Sequence, residues 1–428
     1  MADALIFQPK AGKPAPASTL GVAGWVRGNL FSSLPNAILT LLGAYIAYAF
    51  LSAVIGWALI DAVWEAKNRR ECLDLVGRAG ACWPGVKAWI PNLIYGLYPK
   101  DQVWRINTGF LVLAVWAVPL FLPWVRSKVV IGLSMALLYP LLASYFFHGG
   151  ERDLLWTVLI ALGLAGFLAS WVIAIGEWRG EVRLLEGRRR WVVGGGLYLL
   201  SLLLVSQWQL QEVQTRVWGG LFLTLVISGF GITFSLPAGI LLALGRRSRM
   251  PLIAAVSTTF IELFRSVPLI TVLFMFNTML PLFLPAGVEV NRLLRAIVAV
   301  CLFSSAYMAE IVRGGLQAIP KGQYEAAAAV GLGFWQSTSL IILPQALRIA
   351  IPNIVGTFIG LFKDTTLVSI IGLFDLLSMA RAVGEDTVWL GLFIEPFFFV
   401  TMLYFVFCFS MSQYSFNLEA KLGAGQRR

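Results

Sequence analysis

The sequence predicts an all-α polytopic membrane protein, and three observations lead there. Of its 428 residues, 58% are hydrophobic and 13% charged, and the mean hydropathy is +0.79. A soluble domain carries about 25% charged residues, so the surplus apolar surface must face something other than water. Uncharged runs approaching the length that crosses a bilayer, about 20 residues, recur along the chain. Sixteen Trp and 29 Phe fit aromatic belts at two membrane interfaces.

The elements follow in order. Residues 1–36 are polar, small and Pro-rich, and read as a flexible tail. They have no apolar core followed by a cleavage site, so the first apolar run is expected to stay as an anchor. Uncharged runs occupy 37–60, 106–125, 129–147, 154–176, 191–211, 217–245 and 266–288, and apolar stretches that contain charge occupy 293–312, 341–363 and 387–418. Together they predict ten helices. The first five, within 37–211, hold no charge inside their apolar runs. From about residue 217 onward, Glu262, Arg265, Arg295, Glu310, Arg348, Lys363, Asp364 and Glu395 lie within or beside the apolar stretches. An ionisable group in a bilayer costs several kcal/mol on most scales, roughly 3 or more at the centre, and so faces a bundle interior or a water-filled path. The working half is therefore expected at 217–428.

Basic residues in short loops set orientation. The loops "EGRRRW" at 186–191 and "GRRSRM" at 245–250 place both termini inside and the long mixed loop 61–105 outside. Cys72 and Cys82 share that outer loop, where a disulfide is permitted. Cys301 and Cys408 lie in apolar runs and read as inert core thiols. A single His148 excludes a His-based metal cluster and Ser-His-Asp catalysis within the chain. The net charge of +11 does not argue for nucleic acid, because the basic residues sit between apolar runs and not along one face.

One inner stretch interrupts the apolar pattern: "GQYEAAAAVGLGFWQSTSLIILPQA", Gly322 to Ala346. Glu and Ala favour a helix. Gly331 and Gly333 then break it, and Pro344 suits the first turn of a new helix. Taken alone, this describes a short interfacial helix between two spans. The spacing adds more: Glu325-Ala326-Ala327, three residues, Gly331, nine residues, Ile341, one residue, Leu343-Pro344. It resembles the loop named for Glu-Ala-Ala in the permeases of ABC importers. The flanks "FIELFRSVPLI", "SSAYMAEIVRGGLQAIPKGQYEAAAAVGLG" and "PQALRIAIPNIVGTFIGLFKDTTLVSIIGLFDLL" are similar to the polar amino-acid permeases of that family. The resemblance covers about 216–418, and the five extra N-terminal spans resemble the larger permease subunits of general L-amino-acid importers.

The resemblance implies a permease core of five helices at 216–418, with a cytoplasmic loop 313–344, behind a five-helix accessory region at 37–211 and before a short cytoplasmic tail, 419–428. It implies a bacterial inner-membrane location. It also implies that Glu325, Ala326, Ala327, Gly331 and Pro344 form a coupling helix and its return, docked on a cytoplasmic ATPase dimer. Small alanines would let the helix seat closely, and Glu325 would offer an acceptor. The chain has no Gly-x-x-x-x-Gly-Lys-Ser/Thr loop, so it is expected to be no enzyme and to bind no cofactor, with ATP-Mg used by the partner. The other implied partners are a second permease, in a heterodimer rather than a homodimer, a periplasmic solute-binding protein, membrane lipid and an amino-acid substrate. A competing reading is an ion-coupled secondary transporter, which an inverted repeat between the halves would favour; no shared motif is visible.

Candidate substrate-path residues come from the charge-bearing spans. Glu262 and Arg265, at i,i+3, either pair or meet groups across the bundle. Pro268 close behind predicts a kink or break, and broken helices commonly mark transport sites. Glu310 and Arg313 repeat the i,i+3 spacing, as an interfacial pair or a contact in the path. Lys363, Asp364, Thr365 and Thr366 either leave the membrane or line the outer half of a cavity. A substrate with both ammonium and carboxylate suits a site that offers both signs. Glu395 reads as structural, and Met275, Phe276 and Met279 as helix packing.

Overall fold

A computed structural model describes residues 21–77, 79–150, 153–180, 188–207, 209–285 and 287–423. In chain order its helices are α1 Gly21–Asn29, α2 Leu34–Ile55, α3 Arg69–Val76, α4 Trp83–Tyr95, α5 Val103–Phe121, α6 Lys128–Phe147, α7 Leu154–Arg179, α8 Arg188–Gln207 and α9 Gly220–Arg246. There follow α10 Pro251–Ser266, α11 Leu269–Thr278, α12 Leu280–Phe283, α13 Arg292–Gln317, α14 Lys321–Ala329, α15 Phe334–Ser337, α16 Leu343–Asp364, α17 Leu376–Glu385 and α18 Ile394–Gly423. Among the described residues, eight helical stretches are long and apolar enough to cross a membrane, or nine if the bent pair Pro251–Ser266 and Leu269–Thr278 forms one span. Trp191–Gln207 is a shorter apolar helix.

The ten expected spans thus have counterparts, with three differences. The expected run 266–288 is not one helix. The chain breaks at Val267-Pro268 and bends by 104°, because Pro268 has no N–H for the helical ladder. The helix that precedes the break, α10, carries Glu262 and Arg265 and so fell outside the uncharged run. The last span starts at Ile394 instead of 387, since Asp386–Phe393 is a turn closed by the Gly391 N–H donating to the Gly384 carbonyl at 2.9 Å. The segment read as a tail holds α1, and α2 starts three residues before the predicted span, with Ser33 capping it by accepting from the Asn36 N–H. Residues 1–20 and 424–428 of the two tails lie outside the described residues.

The chain divides into two compact units, up to Gly85 and from Val86. In the first, α2 buries none of its 22 residues, as a helix clothed by lipid would. Cys72 and Cys82 are bonded, with Cα atoms 5.9 Å apart. The Val63 N–H donates to the Ala81 carbonyl (2.8 Å) and the Trp83 N–H to that of Val63 (3.0 Å), which fixes the loop beneath the bridge. Asn68 caps α3 through the Glu71 N–H (3.0 Å).

In the second unit, α5, α6, α7 and α8 pack each on the next, and α13 is the central strut, flanked by α9, α10, α11 and α16. Along α9 a glycine lets α13 come close: a Cβ on Gly239 would stand 2.7 Å from the Met308 Cβ. Buried hydroxyls bond within their own helices, Ser304 to the Val300 carbonyl (2.7 Å) and Ser228 to that of Thr224 (2.7 Å), so they add no unmet polar groups to an apolar interior. At the end of the unit away from α14, an aromatic cluster of Tyr98, Phe110, Phe147, Trp218 and Phe222 joins the accessory helices to α9, with the Trp218 and Phe222 rings 4.9 Å apart. A backbone clasp seals that junction. The Leu97 N–H donates to the Val217 carbonyl (3.1 Å), Gly96 bridges Trp218, and Gly219 and Gly220 bridge Phe374 and Asp375.

Candidate functional site

Three features of the second unit hold the residues singled out in the sequence: the segment between α13 and α16, a charge cluster beside it, and a cavity further along α13.

In the segment 318–342, α14 is followed by a wide turn and then by α15, which runs on through a π-helical turn at Thr338–Ile342 into α16. Ile319-Pro320 ends the long α13, and Pro320 precedes α14 in extended backbone, ψ 141°. At the far end of α14 the Gly331 N–H donates to the Ala328 carbonyl (2.9 Å) and the Leu332 N–H to that of Ala327 (3.1 Å). This closure needs a left-handed residue, and Gly331 has φ +79° with open space around it. That is the role glycine takes after a helix. Ala327 is buried against the bundle, while Glu325, Ala326 and Gly331 are exposed. Val330, Phe334, Trp335 and Leu340 expose 78%, 63%, 68% and 68% of their surface, an apolar edge on both sides of the turn. Pro344 stands in the first turn of α16. The segment is fastened at Tyr324: its hydroxyl donates to the Leu316 carbonyl (3.2 Å) and accepts from Arg247 Nη1 (3.2 Å). Gln345 Nε2 also donates to Gln323 Oε1 (3.1 Å).

Beside this segment, five charges from three helices meet. Glu310 on α13 holds Arg313 at 2.6 Å, Arg246 of α9 at 2.7 Å and Arg265 of α10 at 3.6 Å. Arg246 also pairs with Glu262 of α10 at 2.9 Å. Arg313 presents Nε and Nη2 together to the Glu310 carboxylate, the fork geometry that makes arginine pairs strong. Arg246 and Arg265 lie in the last turns of their helices, where the helix dipole favours a cation. Glu262 and Arg265 therefore meet groups across the bundle.

The cavity, of about 290 Å³, lies between α11, α13 and α16. It is lined by Leu269, Val300, Phe303, Ser304, Tyr307, Thr357, Gly360, Leu361, Asp364 and Thr365. Asp364 is the one ionisable carboxylate in the lining, with hydroxyls of Ser304, Tyr307, Thr357 and Thr365 around it. Leu269 is the first residue after the break at Pro268, so the bent pair supplies one wall.

The sequence-predicted residues therefore fall in two places. Glu262, Arg265 and Glu310 form the charge cluster and do not line the cavity; Asp364 and Thr365 line it. Lys363 and Thr366, one position to either side, are absent from the lining, because consecutive helical residues turn by about 100°. Arg246 was missed. It stood in a short basic loop and was read only for orientation, and no single-sequence signal pairs it with Glu310, 64 residues on. Tyr307 and Thr357 were missed because a lone hydroxyl in an apolar helix looks like packing.

The description "Binding-protein-dependent transport system inner membrane component" matches residues 235–423. The inner membrane amino-acid ABC transporter permease protein YhdY of Escherichia coli K12 is 41% identical over 428 residues, covering 100% of this chain and 99% of its own. The glutamate/glutamine/aspartate/asparagine transport system permease protein BztC of Rhodobacter capsulatus is 40% identical, with 97% of each chain covered. A solved amino acid ABC transporter with histidines is 30% identical over 46% of this chain and 90% of that one, with a TM-score of 0.42. The match to full-length relatives includes the accessory region, and it decides against an ion-coupled secondary transporter. The chain belongs to the amino-acid ABC transporter permeases, multi-pass inner-membrane components of binding-protein-dependent transport systems.

Proposed function

We propose that this permease forms one half of the membrane path of an ATP-driven importer and is moved by a separate ATPase dimer docked on residues 321–342. The supporting observation is the form of that segment: a short helix with Glu325 and Ala326 exposed, a left-handed Gly331, and an apolar edge of Val330, Phe334 and Trp335. A cleft on a partner would cover that edge and place a donor against the Glu325 carboxylate. The segment lies on the cytoplasmic side in this reading, as do both termini, and ATP-Mg is bound and hydrolysed by the partner.

The substrate is an amino acid, handed over outside by a solute-binding protein. Asp364 meets its ammonium group, and the hydroxyls of Ser304, Tyr307 and Thr357 complete the polar lining. The names of the relatives favour glutamate, aspartate and their amides. No cation lines the cavity among the described residues, so the substrate carboxylate would find its counter-charge on the second permease, and a non-identical partner can supply a different one. That favours a heterodimer. Co-expression with a candidate ATPase and second permease tests the assembly. Recovery of all three in one complex is expected, and substitution of Gly331 should leave the permease inserted but lower uptake about tenfold or more. Recovery of a permease that transports without any ATPase would contradict it.

A further inference from the structure

The coupling segment and the cavity are separate places in the fold, and a chain of side-chain contacts with one backbone step connects them. Tyr324 of α14 contacts Arg247, whose guanidinium carbon also lies 5.7 Å from the tyrosine ring centre. The next residue back along the chain, Arg246, pairs with Glu310 (2.7 Å) and Glu262 (2.9 Å). Glu310 reaches Arg265 (3.6 Å). The Arg265 guanidinium carbon lies 5.8 Å from the ring centre of Tyr307, within the range of a cation–π contact, and Tyr307 lines the cavity.

The cluster is unevenly matched. Three arginines face two glutamates, and all three reach the Glu310 carboxylate. Arg246 and Arg313 hydrogen-bond it; Arg265 is the most distant. Arg265 is also two residues before the break between α10 and α11. At that break Val267 is extended (φ −114°, ψ 137°) and Pro268 interrupts the ladder. On α10, Glu262 is held closely by Arg246 while Arg265 is held loosely by Glu310. A small rotation of α10 about the first pair would release the second at little cost, since two arginines would still neutralise Glu310. Packed elements with two discrete arrangements are what carry coupling between distant sites.

We propose that Arg246, Glu310 and Arg265 are positioning residues that convert displacement of α14 into movement at the α10–α11 break, opening or closing the wall that Leu269 and Tyr307 give the cavity. None of them is a substrate contact. The inference rests on the ATPase-coupling reading of residues 321–342.

The test uses the assembled transporter in vesicles and measures substrate taken up per ATP hydrolysed. Arg265→Gln and Glu310→Gln are expected to lower that ratio about fivefold, within the range of mutations along coupled networks, with hydrolysis retained. Arg265→Lys, which keeps the cation, should recover most of the loss. Uptake and hydrolysis that fall in parallel, leaving the ratio at the wild-type value, would make the cluster a structural pin and overturn the proposal. If Glu310→Gln does not accumulate, Arg265→Gln and its lysine counterpart decide the matter. Gly331→Val in the same preparation separates the two layers. A lowered ratio there, with a wild-type ratio in Arg265→Gln, removes the linkage alone; an unchanged ratio in Gly331→Val removes the coupling reading beneath it.

Discussion

The accessory helices and the permease core use their charges in opposite ways. In α5–α7, Arg105 and Glu177 close chiefly on backbone. Arg105, fully buried, donates from Nε to the Phe146 carbonyl (2.7 Å) and from Nη1 to that of Gln211 (2.8 Å). Glu177 accepts from the Arg126 N–H (2.5 Å) and from the N–H and hydroxyl of Ser127, at the start of α6. In the core, Arg246, Glu262, Arg265, Glu310 and Arg313 instead meet one another across α9, α10 and α13, while Arg295 further along α13 donates to the Asn277 carbonyl. A backbone partner cannot move without its helix, so such a bond locks two segments together. A side-chain ion pair can exchange partners while its helices shift. The accessory region is thus built to hold still, and it holds the N-terminal end of α9 through the aromatic cluster and the clasp at Gly96, Leu97, Val217 and Trp218. The core is built to rearrange.

Four substitutions sharpen or break this contrast. The largest effect is expected from Gly331→Val. A branched side chain at φ +79° is strained by roughly 1–2 kcal/mol, and the turn that presents α14 would open; uptake should fall about tenfold or more while membrane insertion is unchanged. Asp364→Asn should raise the KM for amino-acid uptake about tenfold, since a hydrogen bond to a charged group contributes about 1.5–3 kcal/mol. Concentration-dependent uptake in vesicles checks it, and an unchanged KM would remove Asp364 from the substrate path. Arg105→Met should act on stability instead. It leaves the Phe146 and Gln211 carbonyls without their donor, costs about 2 kcal/mol and lowers the Tm of the purified complex, while the substrate moved per ATP stays the same. A changed ratio would mean that the accessory region takes part in the motion. Glu177→Gln is the mildest, because a neutral amide oxygen still accepts from Ser127; uptake within about twofold of wild type and a stability loss of about 1 kcal/mol or less are expected, read by uptake in vesicles and by the Tm of the purified complex.

Much of this organisation was legible in the sequence, because the constraints that produce it are local. Apolar length identifies spans, Pro268 marks the break, and the order Glu325, Gly331 describes helix and turn, although the returning helix starts at Phe334, before Pro344. What escaped depends on tertiary pairing. α10 is amphipathic and charged at one end, so an apolar-run criterion moved its span into 266–288; its charges are tolerable only because Arg246 and Glu310 stand beside them. The cluster is hidden for the same reason, since Arg246, Glu262 and Glu310 come from three separate stretches. Lys363 and Thr366 entered the list as neighbours of Asp364, although the helical turn directs them elsewhere. The clasp between Leu97 and Val217 has no sequence signature beyond its glycines.

The central claim is that the α14 segment faces the cytoplasm and is covered there by the ATPase. Glu325→Cys, in a chain with Cys301 and Cys408 replaced by alanine, allows a direct measurement with a membrane-impermeant thiol reagent. The account predicts labelling in inside-out vesicles stripped of the ATPase, protection when the ATPase is restored, and no labelling of intact spheroplasts. Labelling from the periplasmic face of spheroplasts would contradict it.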